Sequence, residues 1–209
     1  MVRILCIGDS HIPVRVKDLP SQIYDKLNQL THVNLFDYTL FTGDLITFPS
    51  LIDFLEQKTK KDLFKVIGNM DYHYGERKSP TYQKLDILFE GNIKISIGLT
   101  HGAQINPRGD LDQLEFLSQE KGFNILVSGH THKEEVHLTN NGILLLNPGS
   151  VTGAWSFLAT GNPSFIELSI NVMNYKILVR LFQLERQLKT ILESKFNFIA
   201  KNNKIYKNF

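Results

Sequence analysis

Three short apolar runs in the first third of the chain, 3-RILCIGD-9, 38-YTLFTGD-44 and 62-DLFKVIGN-69, each stop at a Gly-Asp or Gly-Asn pair. Their length and β-branched content mark them as buried strands. Between them lie 20-PSQIYDKLNQL-30, with Ile23, Leu27 and Leu30 at helical spacing behind Pro20, and 49-PSLIDFLEQK-58, which opens on Pro-Ser. A β-α-β-α-β alternation leaves few topologies. The strands must run parallel, the crossovers right-handed, and the helices must cover the sheet faces.

The second half reads differently. Strands are predicted at 93–99, 125–128, 134–138, 143–146, 165–170 and 176–181, with a hairpin turning at the Asn-Asn-Gly of 134-EEVHLTNNGILLL-146. A helix is predicted over 109-GDLDQLEFLSQEKG-122, its apolar side formed by Leu111, Leu114 and Leu117. The sum is a two-sheet α/β sandwich over residues 1–182. Residues 183–209 read as a C-terminal extension. There Leu188, Ile191, Leu192 and Phe196 recur at helical spacing and predict a short amphipathic helix, followed by a polar, frayed tail.

Composition removes several classes. A net charge of +2 does not argue for nucleic acid or a membrane surface as partner. No apolar run reaches the length of a transmembrane span. MVRILCIGDS is interrupted too soon for a signal peptide. The single cysteine, Cys6, sits inside the first strand, so no disulfide forms within the chain. It reads as a buried structural residue in a protein of a reducing, cytoplasmic compartment.

The polar residues at the strand ends carry the chemistry. Asp9 and His11 follow the first strand, Asp44 the second and Asn69 the third; His101 lies in 98-GLTHG-102, and His130 and His132 lie in 126-LVSGHTHKEEV-136. Ligands of open α/β sheets bind outside the carboxyl ends of the strands, so these seven side chains should meet at one rim. Two carboxylates, one amide and four imidazoles, with no thiolate, suit a transition-type divalent ion: manganese first, with zinc, iron, cobalt or nickel as alternatives. Seven donors are too many for one ion but suit two that share a bridging carboxylate. Gly8, Gly43, Gly68 and Gly129 directly precede first ligands and permit close backbone approach. His32 and His137 lie away from strand ends and read as structural or surface residues.

The ordered motifs 8-GDSH-11, 43-GD-44, 68-GNMD-71, 100-THG-102 and 129-GHTH-132 resemble the calcineurin-like metallophosphoesterase family, with fold resemblance continuing through 147-NPGS-150 to about Leu181. Within it the chain resembles the small phosphodiesterase branch and the retromer subunit that shares this αββα sandwich. The resemblance implies one ion on Asp9, His11 and His132, a second on Asn69, His101 and His130, and Asp44 between them. It further implies a bridging hydroxide that attacks a phosphoester. Relatives with a histidine after the Gly-Asn pair use it near the leaving group; here that residue is Met70, which implies diesters or good leaving groups as substrates. Asp71 is a candidate to orient a neighbouring histidine, and His73 a candidate substitute acid.

A second function competes. Trp155, Phe157 and Leu158 fall in an apparent loop, 150-SVTGAWSFLATGNPSF-165, and an exposed apolar patch of this kind marks a protein partner. That reading makes the chain a retromer-like sorting subunit, peripheral to membranes through its partner. The retromer branch is described as having a degraded metal centre; here every ligand position carries a competent residue. A nuclease role is weakened by the missing basic-aromatic stripe.

Overall fold

The computed structural model describes residues 1–208. In chain order the elements are β1 (Val2–Ile7), α1 (Ser21–Thr31), β2 (Phe36–Phe41), α2 (Pro49–Gln57), β3 (Thr59–Lys65), α3 (Asn69–His73), β4 (Tyr82–Leu88) and β5 (Lys94–Thr100). There follow α4 (Leu111–Lys121), β6 (Ile125–Val127), β7 (Glu134–Leu138), β8 (Leu144–Pro148), β9 (Ser164–Ile170), β10 (Lys176–Glu185), β11 (Thr190–Lys201) and β12 (Lys204–Lys207).

These strands form two sheets. The larger has the order β12-β11-β10-β9-β1-β2-β3, the smaller β4-β5-β6-β8-β7. β1, β2 and β3 are parallel, as the βα rhythm predicts, while β9 joins β1 antiparallel. In the smaller sheet β5, β6 and β8 are parallel, with antiparallel strands at both edges.

Strand periodicity builds three layers of core. Ile4 and Cys6 face the second sheet, where they join Ile97, Val127, Leu146 and Ile166 in the central cluster. Leu5 and Ile7 point the other way, onto Ile23 and Leu27 of α1 and Leu51 and Leu55 of α2. Leu126 and Leu145 likewise turn outward onto Leu114 and Leu117 of α4. The result is an αββα sandwich. Successive residues of β1 are buried on both faces, which is why the strand reads in sequence as a continuous apolar run.

Two expectations need correction. Residues 183–209 are not a helical appendage. β10 runs on to Glu185, and β11 pairs with it from Lys176↔Ile199 to Glu185↔Thr190. β12 then closes the edge through Phe198↔Lys207 and Ala200↔Ile205. The helical spacing of Leu188, Ile191, Leu192 and Phe196 is coincidental: Leu188 and Leu192 are exposed, whereas Phe198 and Ala200, two apart, are buried in the central core. The ladder to β10 overrides the local pattern. Phe209, the end of the expected frayed tail, lies outside the described residues. The strand β4 was not anticipated; its alternation of buried Leu85 and Ile87 with exposed Lys84, Asp86 and Leu88 is that of an edge strand.

Because β11 supplies core, Phe198→Ala should cost about 3–5 kcal/mol in chemical denaturation. Leu188→Ala, in the exposed β10–β11 turn, should stay within about 0.5 kcal/mol of the parent.

Candidate metal centre

The carboxyl ends of β1, β2, β5 and β6, together with the first residue of α3, meet at one rim. The backbone there is unusual. Asp9 (φ 50°), His11 (φ 50°), Asp44 (φ 55°), His130 (φ 69°) and His132 (φ 60°) are all left-handed. Left-handed backbone costs an L-residue roughly 1–2 kcal/mol, with Asp and His among the less reluctant. Strain of that kind survives only where surroundings hold it, and it concentrates at working sites.

The surroundings do hold it. The Asp9 N–H donates to the Gly43 carbonyl at 2.9 Å, and the His11 N–H to the Asp44 carbonyl at 3.0 Å. The Ser150 hydroxyl donates to the Asp9 carbonyl at 2.7 Å, and the Thr152 hydroxyl to the Ser10 carbonyl at 2.9 Å. Two glycines permit the approach of the loops. A Cβ on Gly68 would lie 2.0 Å from Asp44 Oδ1, and one on Gly129 2.4 Å from Asp9 Oδ2.

Inside this frame the donors converge. Ligating atoms of Asp9, His11, Asp44 and His132 all lie within 4.8 Å of one another, and all four residues are buried. Asp44 has divided duties: Oδ1 accepts the Met70 N–H at 2.8 Å, while Oδ2 faces His11 Nε2 at 3.3 Å and His101 Nε2 at 3.5 Å. One oxygen therefore stands between two groups of ligands. On one side His132 Nε2 approaches Asp9 Oδ1 at 3.4 Å and His11 Nε2 at 2.9 Å. On the other, His101 Nε2 lies 3.0 Å from Asn69 Oδ1, and the His130 ring stands edge-on to that of His101 with centroids 4.9 Å apart.

The tautomers show what such a rim requires. His101 Nδ1 lies 2.8 Å from the Thr42 carbonyl and His132 Nδ1 2.8 Å from that of Ala154. A carbonyl only accepts, so each Nδ1 carries the hydrogen and each Nε2 presents a lone pair inward. The His101 lone pair then faces two oxygens. At the His11–His132 contact a bare lone pair meets its neighbour, and His11 Nδ1 is buried without a partner. Lone pairs and carboxylates crowded together in a dry site repel unless a cation lies among them. The donor set therefore fits divalent ions.

Burial and charge separate the protonation states. Burial pushes His11 down to about 3, and burial with the His101 and Arg108 charges does the same to His130. Both are neutral in neutral water. Burial also acts to lower His132, but the Asp9 carboxylate outweighs it and raises the imidazole. Asp9 itself is disfavoured as an anion by burial, yet His132, His101 and His11 outweigh that and hold it well below the usual carboxylate range. Burial, reinforced by Asp9, pushes Asp44 up to about 6.

The remaining residues from the sequence divide. Asp71 reaches no histidine. Its oxygens accept the N–H groups of Asp44 (2.8 Å), Ile46 (2.7 Å) and Gly68 (2.9 Å), so it pins the loop that carries Asp44. His73 is exposed at the end of α3, against Tyr74. Trp155 and Phe157 are 74% and 68% exposed and Leu158 37%, so this loop does not cap the sandwich. Asn147 is buried and ties the histidine loop through Gly129 O (2.9 Å) and Thr131 Oγ1 (3.0 Å). Sequence reasoning missed Thr42, whose carbonyl orients His101 and whose hydroxyl donates to Asp9 Oδ2 at 3.3 Å. It also missed Ala154, which acts only through its carbonyl and so leaves no side-chain signal.

Comparison with known proteins agrees with this geometry. Residues 2–171 match the model of the calcineurin-like phosphoesterase superfamily domain. A probable metallophosphoesterase of Methanothermobacter thermautotrophicus is 36% identical over 146 residues, 70% of this chain and 75% of that protein. Among solved structures, vacuolar protein sorting 29 of Cryptosporidium parvum superposes with a TM-score of 0.81 at 30% identity, covering 95% of this chain and 98% of that one. Vps29 of Entamoeba histolytica, complexed with Zn²⁺, gives 0.79 at 30% identity, covering 94% and 99%. Fold and donor set together define a metal-dependent phosphoesterase. The chain belongs to the calcineurin-like phosphoesterase superfamily.

Ions require Asp44 as carboxylate and His132 as neutral imidazole, so protons compete with them. Calorimetry between pH 5 and 8 should therefore show Mn²⁺ affinity falling as the pH is lowered, first as His132, whose pKa Asp9 raises, takes up its proton, and more steeply once Asp44 follows near pH 6. His11 and His130, already neutral, should add no slope in that range.

Proposed function

We propose that this chain hydrolyses phosphodiesters with two divalent ions, manganese foremost. Asp9, His11 and His132 would hold one and Asn69, His101 and His130 the other, with Asp44 serving both. Bound ions of this kind polarise phosphoryl oxygens and lower the pKa of an intervening water. The protein's part is position and field. Thr42 and Ala154 fix the tautomers of His101 and His132. The Met70 N–H restrains one oxygen of Asp44 and leaves the other free. The observation that carries the reading is that shared oxygen, 3.3 and 3.5 Å from imidazoles belonging to the two halves of the rim.

Diesters are favoured over monoesters because the residue after Asn69 is Met70, whose thioether cannot protonate a leaving alkoxide. General acid catalysis is worth roughly 10²–10⁴-fold, and without it slow, poor leaving groups fall behind. His73 stays exposed at the end of α3, against Tyr74, and takes no step.

The second reading keeps the ions and adds a partner. Trp155 and Phe157 project from a loop whose Ala154 carbonyl orients His132, so an apolar docking surface is built directly onto the rim. The likeness to Vps29 over nearly the whole of both chains supports a sorting-complex subunit, cytoplasmic and membrane-peripheral through its partner. No helix among the described residues is long and apolar enough to cross a membrane.

Purified protein with Mn²⁺ should hydrolyse bis(p-nitrophenyl) phosphate faster than p-nitrophenyl phosphate. Asp44→Asn and His101→Ala should each lower the diester rate on the order of 10²–10³-fold. Ion uptake with no turnover of either ester would instead favour the docking role.

A further inference from the structure

A cavity of about 190 Å³ lies directly behind the histidine loop, and neither function above uses it. Thr131, between His130 and His132, forms part of its wall. The loop therefore separates two spaces, with imidazoles serving the rim and the intervening threonine lining the cavity. Most of the remaining wall is apolar, from Leu111 and Leu114 of α4, Leu145 of β8, and Leu158 of the aromatic loop. Asn147 and the Thr131 hydroxyl also reach it, but they are already bonded to one another at 3.0 Å. Lys133 and Glu135, a loose pair at 4.0 Å, complete its exposed side.

Arg108 belongs to both spaces. It lines the cavity, and the next residue, Gly109, packs so closely on Thr131, between His130 and His132, that a Cβ there would lie 2.6 Å from the Thr131 methyl. Its guanidinium lies 5.0 Å from the centre of the Phe157 ring and 3.5 Å from Ser156 Oγ. Among the described residues it has no carboxylate partner. A half-buried cation without an anion, beside a phosphate-handling rim, is matched by a phosphoryl oxygen. The size of the cavity is informative as well. An apolar cavity of roughly 150 Å³ takes one benzene ring, so about 190 Å³ admits a single ring and its substituents but not a fused or extended group.

We propose that the cavity seats one ester arm of the substrate as a single aromatic or heterocyclic ring, while Arg108 at its edge holds a non-bridging oxygen of the same phosphate. This rests on the phosphoesterase reading and names the substrate class: phosphate esters with a one-ring aryl or heteroaryl arm. The apolar wall supplies affinity by removing the ring from water. Arg108 ties that arm to the phosphate by a charge-assisted contact.

Binding, not turnover, tests this most cleanly. Calorimetry on the Mn²⁺-loaded full chain compares methyl phosphate, phenyl phosphate and 1-naphthyl phosphate. Phenyl phosphate should bind at least ten-fold tighter than methyl phosphate, and the naphthyl ester should gain nothing over the phenyl. Leu158→Glu, at a partly exposed wall position, should bring the phenyl-to-methyl ratio to about one. Leu111→Glu serves as a second variant should the first disturb folding. Arg108→Gln should weaken both ligands alike, by roughly ten-fold, and Leu188→Glu in the distant β10–β11 turn should leave the ratio unchanged. A wild-type ratio near one with both esters bound overturns the cavity assignment and leaves the phosphoesterase reading intact, as does a ratio that survives both leucine variants. Failure of the loaded protein to bind any of the phosphates overturns both.

Discussion

Two carboxylates and four imidazoles, most of them buried, share one rim, and among the described residues only neutral donors, such as the Met70 N–H and the Thr42 hydroxyl, reach the carboxylates. Most of the local architecture keeps them there. Five of the seven residues adopt left-handed backbone; hydrogen bonds donated by the Ser150 and Thr152 hydroxyls, and backbone N–H groups accepted by the Asp71 carboxylate, lock the loops that carry them. A site that merely needed polar residues would relax away from this arrangement. One built around cations holds its donors ready, so that ligands need little reorganisation when ions arrive.

The sandwich explains how such strain is tolerated. β1 is buried on both faces, between helices and the second sheet, and cannot shift to relieve Asp9. The two sheets deliver their strand ends to the same rim from opposite layers. His101, from the smaller sheet, is oriented by the Thr42 carbonyl of the larger. The centre is therefore also a clasp between layers. Its rim is continuous with the Trp155–Leu158 loop and with the cavity beside Arg108, so chemistry, partner docking and substrate choice would share one edge.

Much of this was legible in the sequence. The apolar runs ending at Gly-Asp in β1 and β2 pointed to the parallel half of the fold, because a strand covered on both faces is apolar at consecutive positions; the third run, read over 62–69, forms the edge strand β3 at Thr59–Lys65, none of whose residues is fully buried. The donor set followed from the strand ends. What was not legible depends on distant partners. The C-terminal residues carry helical spacing at Leu188, Ile191 and Leu192, and only the β10 ladder shows that Phe198 and Ala200 are the buried pair. Asp71 looked like a histidine partner, whereas three backbone N–H groups claim it. The carbonyls of Thr42 and Ala154 set two tautomers and have no residue-type signature at all. β4, a seven-residue edge strand, carries only two buried side chains and so gives a weak signal.

The most direct test of the central claim is anomalous diffraction from crystals of the chain soaked in Mn²⁺. The account predicts two peaks on either side of Asp44 Oδ2, one among Asp9, His11 and His132 and the other among Asn69, His101 and His130, roughly 3.5–4 Å apart. A single peak away from Asp44, or ordered density with no anomalous signal at full soaking, would contradict it.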